Sequence, residues 1–136
     1  MAAQPFELPV RVYWADTDAG GVVYHSNYLD YCERARTEWL RRLGFSQQRL
    51  ASEEGVLFTV ARLEIDFRRP ARLDDLLTVR TRATAGGGAT VDFVQEVWRT
   101  EPQADLLATA QVRVACVDAA SFRPRRLPAS IREGFA

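Results

Sequence analysis

Two carboxylates, Asp16 and Asp18, stand one residue apart and are followed by Ala19, Gly20 and Gly21, then by Val22-Val23-Tyr24-His25-Ser26-Asn27-Tyr28. The run leads from the end of a strand pattern, through a glycine turn, to the start of a helix pattern. A carboxylate at such a junction lies beside backbone N–H groups that the first turn of a helix leaves without partners. Those donors can hold the oxyanion of an attacked carbonyl while the carboxylate acts as nucleophile or as base toward water. The chemistry indicated is acyl transfer. Asp and Gly are also the ordinary residues of a plain turn, so the spacing alone leaves both readings open. His25, the sole histidine, could orient a substrate, protonate a leaving group, lend its backbone N–H or only pack. Tyr24 and Tyr28 are candidates to line a pocket, although aromatic residues at a helix entry are more often core.

Other chemistries find little support. Cys32 and Cys116 are far apart, form no CxxC pair and have one histidine to join them, so ligands for a metal centre built on Cys and His are scarce, none is expected, and no cofactor is implied. Eighteen basic residues, all arginine, balance eighteen acidic ones, which leaves no net field to attract nucleic acid. Residues 1–10, MAAQPFELPV, lack the basic start and apolar run of a signal peptide. No segment approaches the roughly 20 apolar residues that cross a bilayer, so no transmembrane segment is expected and the compartment expected is the cytoplasm.

The elements that must position these residues follow from periodicity. At 136 residues the chain is read as one domain, 1–136. Leu8 to Trp14 reads as a strand that ends at the Asp16–Gly21 turn. From Asn27 the period lengthens: Tyr28, Tyr31, Cys32, Ala35, Trp39 and Leu43 recur at steps of three and four, a long amphipathic helix. Ser26 or Asn27 is expected to cap it, Asp30 to suit its first turn, and Gly44 to end it in a left-handed conformation. A short helix through Ser46 to Glu54 follows. Strands are then expected where Leu63, Ile65 and Phe67 alternate with charged residues, and over Leu76–Ala85, Thr90–Trp98 and Leu106–Val117, before a tail with one helical turn. One strand, one long helix and four successive strands make an α+β chain whose sheet and helix bury each other's apolar faces. The sheet's outer face and edges are left to pair with another copy.

The stretch VRVYWADTDAGGVVYHSNYLDYCERARTEWLRRLGFS resembles the 4-hydroxybenzoyl-CoA thioesterase family, in the branch encoded with the Tol-Pal envelope system. The likeness continues through RRPARLDD at 68–75 and VRVACVD at 112–118. It implies a hotdog fold, an antiparallel five-stranded sheet wrapped around one long helix, with sites between subunits of a homotetramer built as a dimer of dimers. It also implies hydrolysis of acyl-CoA, or of acyl groups on acyl carrier protein. Asp18 matches the second Asp of the family's D-x-D-x-x-G segment, which places it as the catalytic carboxylate, and His25 matches a supporting histidine. Arg68, Arg69, Arg72, Arg123, Arg125 and Arg126 are available for coenzyme phosphates. The Gly86-Gly87-Gly88 turn lacks the basic residue that family members often carry near the coenzyme.

Two other readings compete. The D-x-D spacing also suits magnesium-dependent phosphatases, but those need a parallel sheet and a later lysine, and this chain has no lysine and runs in consecutive strands. A module that binds acyl-CoA or acyl carrier protein without turnover is the non-enzymatic alternative.

Overall fold

The computed structural model describes residues 4–134; the remainder of the 1–136 span lies outside the described residues. Five antiparallel strands form one sheet in the order β1-β3-β4-β5-β2: β1 (Phe6–Arg11), β2 (Val56–Phe67), β3 (Leu76–Ala85), β4 (Thr90–Glu101) and β5 (Asp105–Asp118). The long helix α1 (His25–Arg42) lies on one face of the sheet, against β1, β3 and β4. Two short helices, α2 (Gln47–Arg49) and α3 (Ala129–Glu133), complete the fold, and a π turn over Leu50–Glu54 extends α2.

The period-2 strand pattern decides which residues meet the helix. Along β4 and β5 the pairs Phe93–Val112, Gln95–Ala110 and Val97–Ala108 face inward and are buried, while Asp92–Arg113 faces outward as an ion pair at 2.8 Å. The stripe on α1 meets this face with Tyr28, Tyr31, Cys32 and Ala35 buried, and Trp39 packs edge-on to Phe93 at 5.2 Å. Leu77 and Leu107 are fully enclosed in the resulting core. Gln95, the one fully buried amide on the sheet, donates to the Cys32 carbonyl and the Thr81 hydroxyl and accepts from Arg36, so its burial leaves no polar atom unmatched.

Gly44 ends α1 as expected, at φ +96 and with its N–H donated to the Arg41 carbonyl. Three boundaries differ from the sequence reading. The helix begins at His25, with Tyr24 in the cap position and no side-chain cap, so neither Ser26 nor Asn27 caps it and Asp30 lies beyond the first turn. The tertiary tie of the Tyr24 N–H to the Asp16 carbonyl, at 2.9 Å, fixes the earlier entry. β1 stops at Arg11, and Trp14–Asp16 winds into a 3₁₀ turn because the Tyr13 N–H donates to the Asp16 carboxylate. β2 starts at Val56 rather than near Arg62. A bulge between Val60 and Arg62 shifts its parity, so Phe58 and Val60 share a face with Leu63 and Ile65, and no single alternation runs through the strand.

Candidate active site

Asp18 heads a tight loop closed by its own backbone. Thr17 bridges Val23, the Asp18 N–H donates to the Val22 carbonyl at 2.9 Å, and the Gly21 N–H returns to the Asp18 carbonyl at 3.0 Å. Gly21 takes φ +78, a left-handed conformation that side chains resist. Gly20 fits for another reason: a Cβ there would stand a tight 3.2 Å from Asp18 Oδ1, the atom that accepts the Gly20 N–H at 2.8 Å, and would press on that carboxylate. One carboxylate oxygen is thus pinned, and Oδ2 has no donor among the described residues. The side chain is exposed.

Asp16 anchors this loop to α1. Its carboxylate accepts from the fully buried Tyr31 hydroxyl at 2.9 Å and from the Tyr13 N–H at 3.0 Å, while its carbonyl accepts from Asn27 Nδ2 at 2.8 Å and from the Tyr24 N–H. Burial, reinforced by the bond to Asp16, raises the Tyr31 hydroxyl well above the ordinary tyrosine range. Tyr28 is also buried; its hydroxyl accepts the Ala71 N–H at 2.9 Å, and burial is the main cause of its raised pKa. The Val23 N–H donates to the Ala71 carbonyl at 2.8 Å, so the loop is held from two sides, by α1 and by segment 70–72.

The loop delivers the chain directly into α1. With no side-chain cap, the N–H groups of His25 and Ser26 have no acceptor among the described residues, and they point out of the positive end of an 18-residue helix. His25 is exposed as the first helical residue, and its ring lies 4.4 Å from that of Tyr24, tilted by 44°. Asp18 is thus exposed on the loop that leads to the exposed Tyr24–His25 ring pair, while Tyr28 is buried and its ring meets half-exposed Phe67 at 5.2 Å. Two features escaped the sequence reading. The Tyr31–Asp16 clamp leaves no trace in a helical stripe that would place any aromatic at 31. The uncapped helix start was hidden by the polar residues available to cap it.

Among the described residues no group of three His, Cys, Asp or Glu side chains could hold a metal ion. An apolar cavity of about 120 Å³ lies between α1 and the sheet, lined by Trp39, Leu40, Phe58, Phe93 and Val114, with Arg36 among its polar lining. It begins at Glu33, eight residues along α1 from His25 and so about 12 Å from the helix start at 1.5 Å per residue.

The family described as the thioesterase-like superfamily matches residues 12–135. The chain belongs to the thioesterase-like superfamily. It is 48% identical over 130 residues to the acyl-CoA thioesterase YbgC of Haemophilus influenzae, covering 96% of this chain and 93% of that one. The same identity holds to the acyl-CoA thioester hydrolase YbgC of Escherichia coli O6:H1, over 96% and 95% of the two chains. Among solved structures, a 1,4-dihydroxy-2-naphthoyl-CoA thioesterase from Synechocystis superposes with a TM-score of 0.90 at 30% identity, covering 96% and 95%. The 4-hydroxybenzoyl-CoA thioesterase of Pseudomonas sp. strain CBS-3 superposes at 0.89 with 22% identity, over 96% and 99%, and speaks for the fold alone. The five-stranded antiparallel sheet with its single long helix is thus the hotdog fold of this superfamily, and the chain is a member of a family of thioester hydrolases.

Proposed function

We propose that the chain hydrolyses acyl-CoA thioesters at Asp18. The observation that carries this is the pairing of a carboxylate that has one free oxygen with a helix start whose first N–H groups lack acceptors, joined by the six residues 19–24. A thioester carbonyl set over the helix start would receive those N–H groups on its oxygen, with their strength growing as negative charge develops. Asp18 Oδ2 then attacks the carbonyl carbon to form a mixed anhydride as the C–S bond breaks, or it takes a proton from a water that attacks instead. In the first route water then hydrolyses the anhydride and regenerates Asp18, so both end in a free acid and a thiol, and in both His25 is the proposed donor of a proton to the departing sulfur. Tyr24 is the proposed surface wall for the acyl group, and Tyr28 supports that wall from below through Phe67.

A second copy completes the proposed enzyme. β2 is a twelve-residue edge strand with one unpaired side, and Val60 and Phe67 on its inner face are 51% and 50% exposed. Antiparallel self-pairing centred on Leu63 would set Arg62 opposite the partner's Glu64, a charge-matched register. The proposed assembly is a homotetramer formed as a dimer of dimers. No helix among the described residues is long and apolar enough to cross a membrane, in keeping with the proposed cytoplasmic site of action.

The deciding experiment follows thiol release from short, long and aromatic acyl-CoA thioesters. Turnover is expected for at least one class. Binding of acyl-CoA without turnover of any would replace this reading with that of a carrier or scaffold module.

A further inference from the structure

Much of the arginine complement is committed to ion pairs, as in Arg80 with Glu7, Arg99 with Asp75 and Asp105, and Arg113 with Asp92. Three that are not fall within five residues: Arg68, Arg69 and Arg72. All are exposed, and among the described residues no guanidinium of the three meets a carboxylate, a carbonyl or any other acceptor. Their backbone, in contrast, is fixed at every step. The N–H groups of Arg68 and Arg69 donate to the Leu107 carbonyl, the Ala71 N–H to the Tyr28 hydroxyl, and the Arg72 N–H to Asp75 Oδ2 at 2.9 Å.

The nearby acids do not neutralise them. Asp75 is buried and turned toward the Arg72 N–H and Arg99, and Asp66 and Asp74, both exposed, form no ion pair with any of the three among the described residues. The segment also abuts the catalytic loop. Arg72 bridges Val22, whose carbonyl holds the Asp18 N–H. At the other end of the sheet, the Gly86-Gly87-Gly88 turn offers no charged side chain.

We propose that Arg68, Arg69 and Arg72 bind the phosphate groups of the substrate's carrier, and that this carrier is free coenzyme A. The proposal rests on the acyl-CoA thioesterase reading. Three unpaired guanidinium forks on a rigid backbone match a ligand with several phosphates, each of which takes paired N–H donors. The prosthetic arm of a carrier protein presents a single phosphodiester and would leave most of them idle.

The test uses adenosine 3′,5′-bisphosphate, the nucleotide part of the coenzyme without its thioester, titrated by calorimetry into the parent protein. A variant with Arg68→Gln, Arg69→Gln and Arg72→Gln is compared with a charge-matched control carrying Arg41→Gln, Arg49→Gln and Arg82→Gln, three exposed arginines outside the site. Affinity is expected to fall at least about tenfold in the first and stay within about twofold in the control. The KM preference for acyl-CoA over the phosphate-free acyl-pantetheine is expected to collapse toward one in the first variant, with melting temperatures close to that of the parent. No binding by the parent, equal loss in both variants, or a retained preference for acyl-CoA would overturn the proposal, the last of these pointing to phosphate contacts elsewhere on the protein. Failure to turn over any thioester would instead overturn the thioesterase reading, and the nucleotide titration is read independently of it.

Discussion

Replacing Tyr31 with Phe removes one hydroxyl and leaves the ring that fills the core. The lost bond is a phenol donating at 2.9 Å to the carboxylate of Asp16, which keeps the Tyr13 N–H on the same oxygen. Hydrogen bonds to charged groups contribute about 1.5–3 kcal/mol. Asp16 is only half-buried, so water can replace the phenol, and the lower figure applies: a loss of about 1.5 kcal/mol, roughly tenfold in the folding equilibrium. Urea unfolding at pH 7 should show it as a lower midpoint at unchanged slope.

The sign of the pH effect follows from the direction of the shift. Burial first, then Asp16, raise the folded-state pKa of Tyr31 above its ordinary value of 10.0. The stability linked to this phenol is therefore fully present below pH 10 and is lost as pH rises beyond it. In Tyr31→Phe the alkaline decline should be shallower, with a remainder from Tyr28, whose pKa is also raised. Because Asp16 ties the loop to α1 two residues before Asp18, kcat is expected to fall about tenfold with KM nearly constant. A variant as stable as the parent at pH 7, with the same alkaline profile and the same kcat, would refute the clamp.

Leu77→Ala should cost about 2–5 kcal/mol in the same unfolding assay, because Leu77 is fully enclosed and its loss leaves a cavity, while activity per folded molecule persists. Burial pushes the Cys32 thiol up to about 11 and raises Cys116 as well, and neither is accessible, so both should resist maleimide or iodoacetamide at pH 7.5 in the native protein and react on unfolding. Gly21→Ala forces a side chain into φ +78 at the turn beside Asp18, and should lower kcat without changing the secondary structure seen by circular dichroism.

The order of elements was legible because each has a strong local signal. The three- and four-residue stripe of α1 and the two-residue alternation in β3, β4 and β5 survive into the structure with ends shifted by few residues. What local pattern could not carry was set by distant partners. Entry into α1 depends on the Asp16 carbonyl catching both the Tyr24 N–H and Asn27 Nδ2, and a polar Ser26-Asn27 pair looks like a cap until that catch is seen. The first half of β2 owes its strand form to pairing with β5, and the bulge near Val60 breaks the alternation that would reveal it. At the site, Asp18 stood out by its D-x-D-x-x-G frame, and the glycines were readable as turn formers. Their separate duties, positive φ at Gly21 and clearance of a carboxylate oxygen at Gly20, needed the three-dimensional loop.

The most direct measurement is kcat for the best acyl-CoA substrate in Asp18→Asn, with folding verified by its thermal melt. Asparagine retains the shape and the oxygen that accepts the Gly20 N–H but has no anionic oxygen to attack or to take a proton. Loss of roughly 10²–10⁴-fold in kcat, with acyl-CoA still bound, is the expected result. Turnover within a few-fold of the parent would contradict Asp18 as the catalytic carboxylate.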